Sequence, residues 1–133
     1  MAGAQAMIVA GIGCRRGTSL EEIVSLISNT LERFDLAGAK LDAIATETTK
    51  ADEKGIADAA RQLSVGLIRC PLAALQENAD RVITISLKVE ALKGVPSIAE
   101  ASALVAAGRN ARLLGARIAA GNATCAIAIG DGP

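Results

Sequence analysis

Gly11-Ile12-Gly13-Cys14-Arg15-Arg16-Gly17-Thr18-Ser19 is the stretch whose reading decides the fold. Before it stands a short continuous apolar run, Ala6 to Ile12, the pattern of a strand covered on both faces and central in its sheet. After it Leu20, Ile23, Ile27, Leu31 and Phe34 recur at helical spacing, behind Ser19 and Glu22 as a candidate capping box. Strand, glycine-rich turn and helix start in that order gather backbone N–H groups and the positive end of a helix dipole, a combination that holds anions. Arg15 and Arg16 add forked donors suited to carboxylate or phosphate. The stretch therefore predicts an anion-binding loop leaving a central strand. Its glycines read G-x-G-x-x-x-G, which is neither a dinucleotide fingerprint nor a Walker loop.

Working outward, Leu41 to Thr46 reads as a second, weaker strand, and Thr46 to Glu53 as a polar loop. The helix that follows has Ile56, Ala59, Ala60 and Leu63 on its inner face, with Asp52 as N-cap and Glu53 complementing the dipole. Val65 to Cys70 is a third strand, and Pro71 opens a short helix through Leu75. Three strand-loop-helix units in series imply parallel pairing with right-handed crossovers. Between Asp80 and Gly94 the pattern supports extended chain at Val82, Ile83 and Ile85 and a helix from Ser86 to Lys93; the helix is adopted. Gly94-Val95-Pro96 forces a turn, Ser97 with Glu100 repeats the capping pattern ahead of Ile98, Ala101, Leu104 and Val105, and Gly108 stops that helix. Arg112 to Ile118 and Ala123 to Ile129 read as an antiparallel hairpin around Ala119 to Asn122. The sum is an α/β protein: a three-layer α/β/α sandwich, mostly parallel, closed by a C-terminal antiparallel hairpin, with residues 1–133 as a single domain.

Composition narrows the function. Lys plus Arg equals Asp plus Glu, 14 against 14, which argues against a general binder of nucleic acid or anionic membrane. The chain has no His, Trp or Tyr and one Phe, which removes histidine-based acid–base chemistry, imidazole ligation and base-stacking platforms. Cys14, Cys70 and Cys125 are odd in number and widely spaced, so neither a zinc site nor a disulfide framework is signalled and a reducing, cytoplasmic setting is expected. No metal or cofactor is expected. The first apolar run is too short to span a bilayer and reads as a strand rather than a signal peptide.

Ligands of open parallel sheets gather beyond the carboxyl ends of the strands, where strand order reverses. There Cys14, Arg15, Arg16, Gly17, Thr18 and Ser19 would meet Lys50, Asp52 and Glu53, a mixed-charge rim suited to a polar anion, with Glu47 also on the second loop. Ser19 and Asp52 fit helix caps as well as ligand contacts, and Glu100 fits a cap before a contact. Cys14 is read as a packed cysteine, with a dipole-activated thiolate as the alternative.

At these loops the chain resembles the CobE family, itself similar to the C-terminal domain of CbiG. The resemblance is carried by Gly11 to Thr18, by Lys50-Ala51-Asp52-Glu53-Lys54-Gly55, by Gly94-Val95-Pro96-Ser97-Ile98-Ala99-Glu100-Ala101 and by the last strand from Ala123. It implies a protein of cobalamin biosynthesis that binds or hands on a precorrin or hydrogenobyrinic-acid-like tetrapyrrole, in the aerobic, late-cobalt route if CobE-like. No residues would remain for an N-terminal CbiG-like domain. The carboxylate fringe of such a ring suits the arginine loop, assisted by Lys50 and the helix start at Ser97 and Glu100. CbiG opens a lactone on a cobalt-precorrin and releases acetaldehyde, so the resemblance also implies an alternative, a hydrolase acting on a precorrin lactone or C–C bond; without histidine its base would have to be Glu47, Asp52 or Glu53. Docking on other corrin-pathway enzymes is a further implied role.

Overall fold

In a computed structural model, residues 6–50 and 52–133 are described. Six strands, β1 (Met7–Cys14), β2 (Ala43–Glu47), β3 (Gly66–Cys70), β4 (Arg112–Leu113), β5 (Ile118–Ala120) and β6 (Ala123–Gly130), form one sheet in the order β3-β2-β1-β6-β4, with β5 also on β6. The half β3-β2-β1 is parallel, as the strand-loop-helix series requires, and β6 runs antiparallel to β1 along its whole length from Met7–Gly130 to Cys14–Ala123. β1 is thus central. The expected C-terminal hairpin is present in modified form. Its turn is Gly121 and Asn122 alone, Ala119 and Ala120 extend β5, and the outer strand is broken between Leu113 and Ile118 into β4 and β5, both paired with β6.

Helices cover both faces. Helices α1 (Leu20–Arg33) and α2 (Lys54–Leu63) bury Ile23, Ile27 and Ile56 against Ile12, Ile44 and Ile127 on one side. On the other, α3 (Leu72–Glu77) and α5 (Ile98–Ala107) pack Leu75, Ala99, Ala103 and Leu104 over Val9, Ala45 and Ala126. The second layer is very thin, because the contact is small side chain on bare backbone. A Cβ at Gly11 would collide with the Ala99 carbonyl and the Ala103 amide of α5, and one at Gly130 with the Ala107 carbonyl. Two glycines of the strands therefore serve close helix approach.

Ala51, inside the Thr46–Glu53 loop, lies outside the described residues; Thr48–Lys50 of that loop form a single 3-10 turn. Asp52 is not the cap of α2. That position is Glu53, whose side chain makes no capping bond, while the Asp52 carboxylate pairs with Arg69 at 3.3 Å. Between Asp80 and Gly94 the adopted helix is present as α4 (Leu87–Lys93), capped by the Ser86 hydroxyl; a 3-10 turn at Ala79–Arg81 precedes it, and residues 82–86 form no strand. No described helix is long and apolar enough to cross a membrane.

Candidate functional site

At the carboxyl ends of β1 and β2 a half-open cleft of about 500 Å³ lies between the first loop, α4, the start of α5 and the β5–β6 turn. That volume is ordinary for a small-molecule site, ~300–1,000 Å³. Its walls are mainly apolar, with Val89 and Leu92 from α4, Ile98 from α5 and Ala119 and Ala123 from the hairpin. Four cations, Arg15, Lys50, Lys93 and Arg117, line it with one carboxylate, Glu47. Among the described residues only Lys93 of the four has a carboxylate partner, Glu47 Oε1 at 3.0 Å; Thr49 Oγ1 donates to the other Glu47 oxygen at 2.8 Å.

The glycine loop does not work as its sequence suggests. The Arg15 amide donates to the Asn122 carbonyl at 2.9 Å, the Gly17 amide to Glu53 Oε1 at 2.9 Å and the Thr18 amide to the Arg15 carbonyl at 3.3 Å. Ser19 Oγ accepts from the Glu22 amide, and Glu21 and Glu22 occupy the first turn of α1. The Glu22 carboxylate reaches across to the Asn122 amide, at 2.6 Å, instead of closing a reciprocal capping box. The helix dipole is therefore already compensated by the protein's own carboxylates, and the loop's contribution to the cleft is the Arg15 side chain with Gly13 and Cys14. Arg15 and Arg16 are both exposed, and Arg16 does not line this cleft. Gly17, Thr18, Ser19 and Glu53 face a separate concavity of about 320 Å³ beside Lys54 and Asp58.

Burial pushes the Cys14 thiol up despite the nearby Lys50 charge, so the activated-thiolate alternative is not supported. Burial also holds Cys70 at about 11 and Cys125 at about 12, and all three cysteines are free.

Ser97 and Glu100 are fully buried, and neither lines the cleft. The Ser97 hydroxyl caps α5 by accepting from the Glu100 amide. Glu100 is a structural clamp. One oxygen accepts from the amides of Ile83 at 2.6 Å and Thr84 at 2.9 Å; the other accepts from Thr84 Oγ1 at 2.6 Å and the Arg117 amide at 2.8 Å. Burial acts to raise its pKa, but the Thr84 hydroxyl and the three amides outweigh it and hold the carboxyl below its usual range. Through this clamp Glu100 fixes the backbone that carries Arg117 into the cleft and the segment that leads to α4.

Of the residues singled out in the sequence, Cys14, Arg15, Glu47 and Lys50 come together in the cleft. Sequence reasoning missed Lys93, Arg117, Val89 and Leu92. Lys93 and Arg117 carried a faint signal as cations in loop or helix-end positions; the two apolar residues carried none, because an exposed leucine reads as core in a helical pattern.

Fold and cleft together define a class: an α/β/α sandwich built on one mixed sheet, with a cation-rimmed, aliphatic-walled cleft where strand order reverses. The family model described as Cobalamin synthesis G C-terminus matches residues 8–128. The chain belongs to that family and is a cobalamin biosynthesis protein of the CobE/CbiG C-terminal kind. It is 35% identical over 125 residues to Protein CobE of Sinorhizobium sp, covering 94% of this chain and 81% of that one. The crystal structure of CobE, a protein from the cobalamin (vitamin B12) biosynthetic pathway, superposes with a TM-score of 0.89 at 34% identity over 97% of this chain and 94% of that chain. Cobalamin biosynthesis protein chiG from Agrobacterium tumefaciens gives 0.73 at 37% identity, over 93% and 98%.

Proposed function

We propose that the cleft binds a carboxylate-bearing tetrapyrrole intermediate of corrin-ring assembly and that the protein carries or presents it without transforming it. The observation that carries this reading is the group of three cations, Arg15, Lys50 and Arg117, that have no carboxylate partner among the described residues and surround an aliphatic wall. A precorrin has a fringe of acetate and propionate groups around an apolar face, and such a rim and wall match both parts. The one aromatic residue, Phe34, packs with the α1–α2 layer, so ring contacts would be aliphatic. Residues 1–133 would act as a single binding domain in the cytoplasm, receiving the ring from one corrin-pathway enzyme and releasing it to another.

Hydrogenobyrinic acid titrated into the pure protein should perturb the pigment's absorbance and saturate near one equivalent. An unchanged spectrum would remove this reading. The hydrolase alternative retains only Glu47 as a base at the cleft, since Asp52 pairs with Arg69 and Glu53 engages Gly17. Both Glu47 oxygens are held, by Lys93 and Thr49, which favours the carrier. Acetaldehyde released with turnover from a cobalt-precorrin lactone would reverse that preference.

A further inference from the structure

The Glu47 side chain is 4% exposed at the carboxyl end of β2, whereas Lys93, 3.0 Å away, is 38% exposed at the last residue of α4. A buried carboxylate on a strand end cannot follow its partner into solvent; a lysine on a short helix can move. Among the described α-helices, α4 is the one least held by the core. None of its residues is buried, and Leu87 and Leu92 are 75% and 73% exposed. Among the described residues two side-chain bonds tie it to the body and both end at Lys93: the ion pair, and Gln76 Nε2 donating to the Lys93 carbonyl at 2.9 Å. Gly94 follows at φ 73°.

We propose that Glu47 is the resident counter-ion of the cleft: it keeps Lys93 and α4 seated when the cleft is empty, and a ligand carboxylate takes Lys93 over on binding. This rests on the polycarboxylate reading above. Displacement leaves Glu47 with the Thr49 hydroxyl alone, so the exchange opposes binding. Glu47 thereby tunes affinity downward, which suits a protein that must release what it holds.

Glu47→Gln keeps the size of the side chain and the Thr49 bond and removes the charge. Relative to wild type it should bind hydrogenobyrinic acid roughly fivefold more tightly, the worth of about one modest ion pair. In the ligand-free variant the amides of residues 88–94 should exchange with solvent faster. Adding Lys93→Gln should abolish the gain in affinity, because Lys93 is then no longer there to reach the ligand. Unchanged or weaker binding by Glu47→Gln, unchanged exchange of α4, or a gain that persists in the double variant would each overturn the proposal while the wild type still binds. Failure of the wild type itself to bind hydrogenobyrinic acid would remove the underlying reading and this proposal with it.

Discussion

At the scale of single residues, Arg15 and Arg16 are adjacent in sequence and opposite in consequence. Both are exposed, but Arg15 lines the cleft and Arg16 does not. Arg15→Ala should weaken binding of hydrogenobyrinic acid by about 1–2 kcal/mol, the scale of a charge-assisted hydrogen bond, and Arg16→Ala should leave it within error in the same titration. The sequence announced two arginines in a turn but carried nothing to separate them. Glu100 was likewise legible as part of a capping pattern; its true partners, Ile83, Thr84 and Arg117, lie 16 or 17 residues away on either side. Glu100→Gln should cost about 3 kcal/mol, seen as a fall in Tm of roughly 10 °C near neutral pH. Because the folded carboxyl sits below its unfolded value, its contribution is full above the unfolded pKa, about 4.3, and is lost as pH falls through the folded pKa. Urea unfolding at successive pH values should show the gap between wild type and Glu100→Gln narrowing in that acid window.

At the scale of elements, the central strand and the helices of the α1–α2 layer were legible because long apolar periods fixed them, and β1 was recognisable by its unbroken apolar run. The glycines within it were legible as glycines but not in purpose. Gly11 gives the alanine-rich α5 room to lie on the sheet, as Gly130 does on β6. Gly11→Ala should therefore destabilise the fold by about 2–4 kcal/mol, measured by thermal or urea unfolding, since the new methyl meets helix backbone that cannot rotate away. Helix α4 is the opposite case. Its apolar residues read as a core face, yet none of them is buried, so its length could be read and its position over the cleft could not.

At the scale of the molecule, a chain with equal numbers of positive and negative side chains still gathers four cations against one carboxylate in a single cleft. The topology does this. β1 sends its crossover toward β2 and β3, β6 returns antiparallel on its other side, and the opening between the two directions collects the ends of segments more than 100 residues apart. The parallel half of the sheet was legible from local pattern alone, and with it the end at which the site lies; that α4 and Arg117 would complete the walls depends on long-range packing that no local spacing encodes. The most direct test of the cleft is amide chemical-shift mapping during a titration with hydrogenobyrinic acid. The cleft account predicts shifts at residues 13–15, 47–50, 89–93 and 117–124, with residues 53–58 of the neighbouring concavity unmoved. Shifts concentrated at residues 17–19 and 53–58, with α4 and the β5–β6 turn silent, would contradict it.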